Sequence, residues 1–134
     1  MSEEIEYPSM EELEVLYREV VKVSGGEHGY LSKGNLEYLL DTVKDVGERN
    51  PKKQAIVKKA AFLLYNIVTI HPLVNGNKRT AFELVRLFLR SNGYSLSAEV
   101  KESYKFLVQI ASGKVSETDV ESWVATHLSE SKDE

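Results

Sequence analysis

The chain has 134 residues, no cysteine and a formal net charge of −4, with 42% hydrophobic and 28% charged residues. That is room for one domain with an ordinary core, and the missing thiols exclude disulfides and thiolate metal sites and fit a reducing compartment. The acidic balance argues against DNA as a partner, because sequence-independent binding draws on a field of Lys and Arg.

In chain order, the acidic start "MSEEIEYPSMEELE" has neither a basic n-region nor an apolar h-region, so no secretory signal is expected. No apolar run reaches membrane-spanning length, and a soluble, cytoplasmic protein is the expectation. Ser9 and Glu12 form a capping box ahead of Leu13, Leu16, Tyr17, Val20 and Val21, and "SGG" ends this first helix. A Gly-containing loop, "GGEHGYL", leads to Ser32, the predicted cap of a helix carrying Leu36, Leu39, Leu40 and Val43. Gly47 and Pro51 punctuate the next connection. The third helix, about 53–70, is apolar over more than half its circumference, through Ile56, Val57, Ala60, Ala61, Leu63, Leu64, Ile67 and Val68. It reads as the central helix, with Lys52, Lys53, Lys58 and Lys59 as its solvated face.

A fourth helix is predicted over 78–91, stopped at "SNGY" with Gly93 as its cap. A fifth spans about 97–111, and a sixth starts at Ser116, with Asp119 in capping position, and buries Val120, Trp123, Val124 and Leu128. The start and the tail 129–134 are expected to fray around an ordered core of 7–128. Strand-like alternation is absent, so the fold class is all-α: a compact single-domain bundle of about six helices.

Between the third and fourth helices lies "HPLVNGNKRT", residues 71–80. Its Asn-Gly is a hairpin cue, but both flanks have helical periodicity, so the turn joins helix to helix. His71 falls at the C-terminal lip of one helix, where Pro72 bars continuation. Gly76 permits a tight turn, and Asn77, Lys78 and Arg79 open the next helix. A helix start exposes unpaired N–H groups and a partial positive charge, which together attract anions. Cations normally avoid that end, so Lys78 and Arg79 either fan out to solvent or share an anionic partner, most simply a phosphate. A Walker loop is excluded, because His71 stands where its first Gly belongs and Asn77 separates Gly76 from Lys78. A zinc site fails for want of a second nearby His or any Cys. His71 is then either a structural histidine or a general base for a hydroxyl attacking a bound phosphate.

"HPLVNGNKRTA" resembles the signature of the Fic/Doc (Fido) superfamily, H-P-F-x-[D/E]-G-N-[G/K]-R. "GEHGYLSKGNLEYLL" and "RLFLRSNGY" resemble the segments around that signature in its death-on-curing (Doc) branch, and the likeness runs over roughly residues 7–128. The resemblance implies a helical fold whose motif loop holds a nucleoside triphosphate such as ATP, together with Mg²⁺. By position it makes His71 the base, lines the anion hole with Gly76, Asn77 and Lys78, and has Arg79 hold phosphate. Leu73 replaces the usual Phe and remains an apolar plug. Lys78, and Phe82 in place of a second Arg, resemble the Doc branch. That implies phosphoryl transfer to a Ser or Thr hydroxyl of a target protein, possible in a translation factor, with a separate antitoxin as a further partner.

Asn75 stands where the family carries an acidic Mg²⁺ ligand, and a neutral amide is a poorer donor to that ion. Two alternatives follow: nucleotidylyl transfer (AMPylation), and a nucleotide- or partner-binding relative that has lost catalysis. Ser95 and Glu99 fit an inhibitory-helix pattern of the family only by chance, since Val100 breaks it.

Overall fold

The computed structural model describes residues 4–131. Among the described residues there are six α-helices: α1 (Met10–Ser24), α2 (Lys33–Thr42), α3 (Lys52–Ile70), α4 (Asn77–Ser91), α5 (Val100–Ala111) and α6 (Glu117–His127). A 3₁₀ turn, Val43–Asp45, extends α2. Helix α3 packs against α2, α4, α5 and α6 and buries Ile56, Ala60, Ala61, Leu63, Leu64 and Ile67 completely. The central position predicted for it is the one it takes. None of the helices is long and apolar enough to cross a membrane, among the described residues.

The capping boxes at Ser9–Glu12 and Ser116–Asp119 form as the sequence predicts, each satisfying N–H groups that the first helical turn leaves unpaired. Gly93 takes a left-handed φ of 89° just beyond the Asn92 cap of α4. Ser32 differs: its hydroxyl makes no cap. Its backbone N–H donates instead to Pro72 O at 3.1 Å, which pulls the residue out of capping geometry and into the pairing described below.

Three further expectations change. A small antiparallel pair exists within the helical fold, β1 (Tyr94–Leu96) against β2 (Leu128–Glu130). Residues 129–131 are therefore tied down rather than frayed, with Ser131 N–H donating to Gly93 O at 2.9 Å. The expected fraying at 1–3 and 132–134 lies outside the described residues. The pairing also delays α5, which begins at Val100 rather than 97, because Ser97 N–H is committed to His127 O at 2.8 Å. Near the start, Glu6 and Asn92 exchange two hydrogen bonds that fasten the N-terminal segment to the end of α4.

Lys59 is not part of the solvated face. It is 1% exposed, and its ammonium donates to Val43 O at 3.1 Å and Lys44 O at 3.0 Å, with the Tyr7 ring 5.3 Å away. Val43 O also accepts from Val46 N–H at 3.1 Å, so the lysine adds a second donor there and supplies one to Lys44 O, acting as a cap delivered from another helix.

Candidate functional site

The motif loop is a short span between the C-terminus of α3 and the N-terminus of α4. His71 caps α3 with φ 58° and ψ 57°, the one non-glycine residue at positive φ among the described residues. That conformation costs an L-residue roughly 1–2 kcal/mol, and such strain concentrates where a side chain must be aimed. Gly76 precedes α4 at φ 75°, and a Cβ there would lie 3.0 Å from Val20 Cγ1, so the turn requires glycine twice over.

The loop is held from two sides. Inside, Asn77 is 4% exposed; its Oδ1 accepts from Leu73 N–H at 2.9 Å and its Nδ2 donates to Leu73 O at 2.8 Å. Outside, the segment from Gly26 to Ser32 lies along the motif as an edge. Leu31 N–H donates to Pro72 O at 2.7 Å, Val74 N–H donates to Gly29 O at 2.9 Å, and Tyr30 pairs antiparallel with Leu73. Glu27 N–H donates to Asn75 Oδ1 at 2.7 Å. The glycines of "GGEHGYL" permit this approach: a Cβ on Gly26 would meet Asn75 at 3.1 Å, and one on Gly29 would meet Val74 at 3.0 Å.

Helix α1 anchors that edge in turn. Tyr17, fully buried, exchanges hydrogen bonds with both backbone groups of Gly29. Glu14 accepts from the Tyr30 hydroxyl, pairs with Arg18 at 2.6 Å and lies 3.0 Å from His28 Nε2. Burial pushes the Glu14 carboxyl up, but the Tyr30 hydroxyl, His28 and Arg18 outweigh it and hold the group below its ordinary range. Burial and the adjacent carboxylate raise the Tyr30 hydroxyl well above the ordinary phenol range.

All six motif residues singled out in the sequence, His71, Asn75, Gly76, Asn77, Lys78 and Arg79, line one cavity of about 490 Å³. Val20, Ser24, Gly26, Tyr104 and Leu107 are among those completing it. Their side chains do different work, however. The Asn77 amide is spent on the loop itself, and the Asn75 oxygen on the paired edge. The side chains of His71, Lys78 and Arg79 make no hydrogen bond or ion pair among the described residues. Nor does any side chain cap the first turn of α4. Two cations without an acid partner thus stand at a helix N-terminus whose own N–H groups are uncapped, which is an electrostatic setting for an anion.

The cavity lining contains no carboxylate, and no group of three or more His, Cys, Asp or Glu could hold a metal among the described residues. With the Asn75 oxygen engaged by Glu27, the encoded donor set does not fit a protein-held Mg²⁺. Sequence reasoning placed Tyr17 in the apolar stripe of the first helix but not on Gly29, and missed Glu14 and Tyr104, whose places depend on which helices meet. Ser95 lies in β1 and Glu99 caps α5, so the two do not share a helix.

None of the curated proteins matches the chain. The Fic/DOC family model matches residues 6–89, which run from the N-terminal strap through α1, the paired edge, α3 and the whole motif loop into α4. That span covers most of the chain and every residue of the cavity except Tyr104 and Leu107, and the protein therefore belongs to the Fic/DOC family, whose members are in general NTP-dependent transferases.

Proposed function

We propose that the protein transfers the γ-phosphoryl group of ATP or another nucleoside triphosphate to a Ser or Thr hydroxyl of a target protein, in the manner of a Doc-like toxin with a separate antitoxin. The observation that carries the reading is the shared cavity, in which His71 and the unpartnered Lys78 and Arg79 converge on the open start of α4. Its volume lies within the range of ordinary small-molecule sites.

In this mechanism the triphosphate lies across the N-terminus of α4, with its charge met by Lys78, Arg79 and the backbone N–H groups. His71 accepts the proton of the target hydroxyl as that oxygen attacks the γ-phosphorus. The bond from the γ-phosphorus to the bridging oxygen breaks, and the nucleoside diphosphate leaves with the electron pair. Lys78 supports phosphoryl over nucleotidylyl transfer: a long cation at the second position of α4 favours the most highly charged end of the nucleotide.

The test offers the protein and a cell lysate ATP labelled at either the α or the γ phosphate, alongside a His71→Ala variant. The expected result is γ-label on protein, lost in the variant while nucleotide binding stays within a few-fold, because a base acts on the transition state more than on ground-state affinity. Transfer of the α-label would replace this reading with nucleotidylyl transfer. Binding with neither label transferred would make the chain a binding module, the outcome that Asn75 favours.

A further inference from the structure

The chain contains two Asn-Gly pairs, Asn75–Gly76 and Asn92–Gly93. An asparagine followed by glycine is chemically exposed, because a glycine nitrogen unshielded by a Cβ can reach the preceding side-chain carbon. The fold treats the two pairs oppositely. Asn92 is half-buried, and its Nδ2 donates to Glu6 O at 2.9 Å and Phe88 O at 2.7 Å. The N–H of Gly93 donates to Arg90 O at 3.2 Å. Both the leaving nitrogen and the attacking nitrogen are therefore held. Asn75 is exposed, and among the described residues no acceptor holds its Nδ2 or the N–H of Gly76. Its one hydrogen bond is the one that favours reaction: Glu27 N–H donates to Oδ1 at 2.7 Å, where negative charge develops as the carbonyl is attacked.

We infer that Asn75 is a site of spontaneous modification, cyclising onto Gly76 and opening to an acid, and that the fold directs this chemistry to residue 75 and away from residue 92. Gly76 N loses its proton to solvent and bonds to Asn75 Cγ. The Cγ–Nδ2 bond breaks, and the nitrogen takes up a proton and leaves as ammonia. Water then adds to either carbonyl of the resulting succinimide ring, giving Asp or isoaspartate. No oxidant or enzyme is required.

The modification places a carboxylate on the lining of the motif cavity, which the encoded sequence leaves without one. Glu27 N–H, 2.7 Å from the present amide oxygen, can donate equally to an acid oxygen. On the phosphoryl-transfer reading, that acid changes the site from one that meets phosphate charge with cations alone to one that also carries a negative charge among them. This consequence rests on that reading; the modification does not.

The test incubates the purified full chain at neutral pH in heavy-oxygen water, with a parallel sample unfolded in urea. Digestion and mass spectrometry then report amide-to-acid conversion and heavy-oxygen uptake separately at 75 and 92. In the native protein conversion at 75 should lead that at 92 by roughly tenfold or more, since Asn92 and Gly93 must first break their hydrogen bonds. In urea the two sites should converge. Equal or faster conversion at 92 in the native protein would overturn the inference. So would a native Asn75 that stays unlabelled while its unfolded counterpart converts. Neither outcome depends on whether the protein transfers anything from ATP.

Discussion

Replacing Asn77 by Ala tests whether the motif loop is shaped from within. Asn77 is 4% exposed and Leu73 is fully buried, so the two hydrogen bonds between them, at 2.9 and 2.8 Å, have little access to replacement water. Truncation leaves a buried N–H and a buried C=O without partners, at about 1–3 kcal/mol each. The expected loss is about 2–6 kcal/mol, a large share of the roughly 5–15 kcal/mol that stabilises an ordinary domain. Urea unfolding should show it as a lower midpoint at nearly unchanged slope. Asn77→Asp sharpens the test, because it keeps the acceptor for Leu73 N–H but sets a carboxylate oxygen against Leu73 O. Protonation restores a donor, so the folded pKa of that Asp should be raised. Its stability relative to wild type should therefore improve as pH falls through the carboxyl range. An Asn77→Ala variant within about 0.5 kcal/mol of wild type would refute the clamp, since that is the size of an ordinary surface change.

Lys59→Met should cost about 1–3 kcal/mol despite the similar volume, because Lys44 O loses its donor and Val43 O keeps only Val46 N–H; a neutral substitution in urea unfolding would remove the cross-helix cap. His71→Gly should abolish transfer yet raise the unfolding midpoint by the equivalent of about 1 kcal/mol, since glycine takes φ 58° without strain; a less stable variant would deny that His71 is strained. Glu14, held low, contributes stability that is fully present above the ordinary 4.5 and lost as pH falls through its folded value. Tyr30, held high, contributes stability that is fully present below 10.0 and lost as pH rises through its folded value. Glu14→Gln should flatten the acid side of a stability-versus-pH curve, and an unchanged acid limb would show that this cluster does not hold the edge.

The helices were legible because each carries an apolar stripe between recognisable breaks, and α1 and α6 a capping box as well. The β1–β2 pair had no such signature. Its strands are three residues long and become strands only by meeting partners such as Ser95 and Ser129, far apart in the chain. Lys59 was misread for a related reason. It shares a helical face with Ile56 and Leu63, one turn away on either side, and that placement outweighs the run of lysines around it. The glycines of "GGEHGYL" announced a loop, yet their purpose, close approach to Val74 and Asn75, appears only once the loop lies against the motif.

The motif shows why a signature can be recognised before its members can be assigned tasks. Within ten residues the same polar chemistry serves two ends, and sequence spacing alone does not separate them. Asn75 and Asn77 look as able to greet a phosphate as their neighbours do, but a two-sided amide is also the side chain best suited to close a tight turn on its own backbone. Asn77 does so with Leu73, and Asn75 reaches across to Glu27. With the Asn77 amide and the Asn75 oxygen spent, the side chains that present unpartnered charge or basicity to the cavity are one imidazole and two cations, while the Thr80 hydroxyl is buried without a partner behind them. A turn satisfied internally can hold His71 in a strained conformation and leave the start of α4 uncapped at the same time. Rigidity in the frame is what allows the chemistry to remain unpartnered.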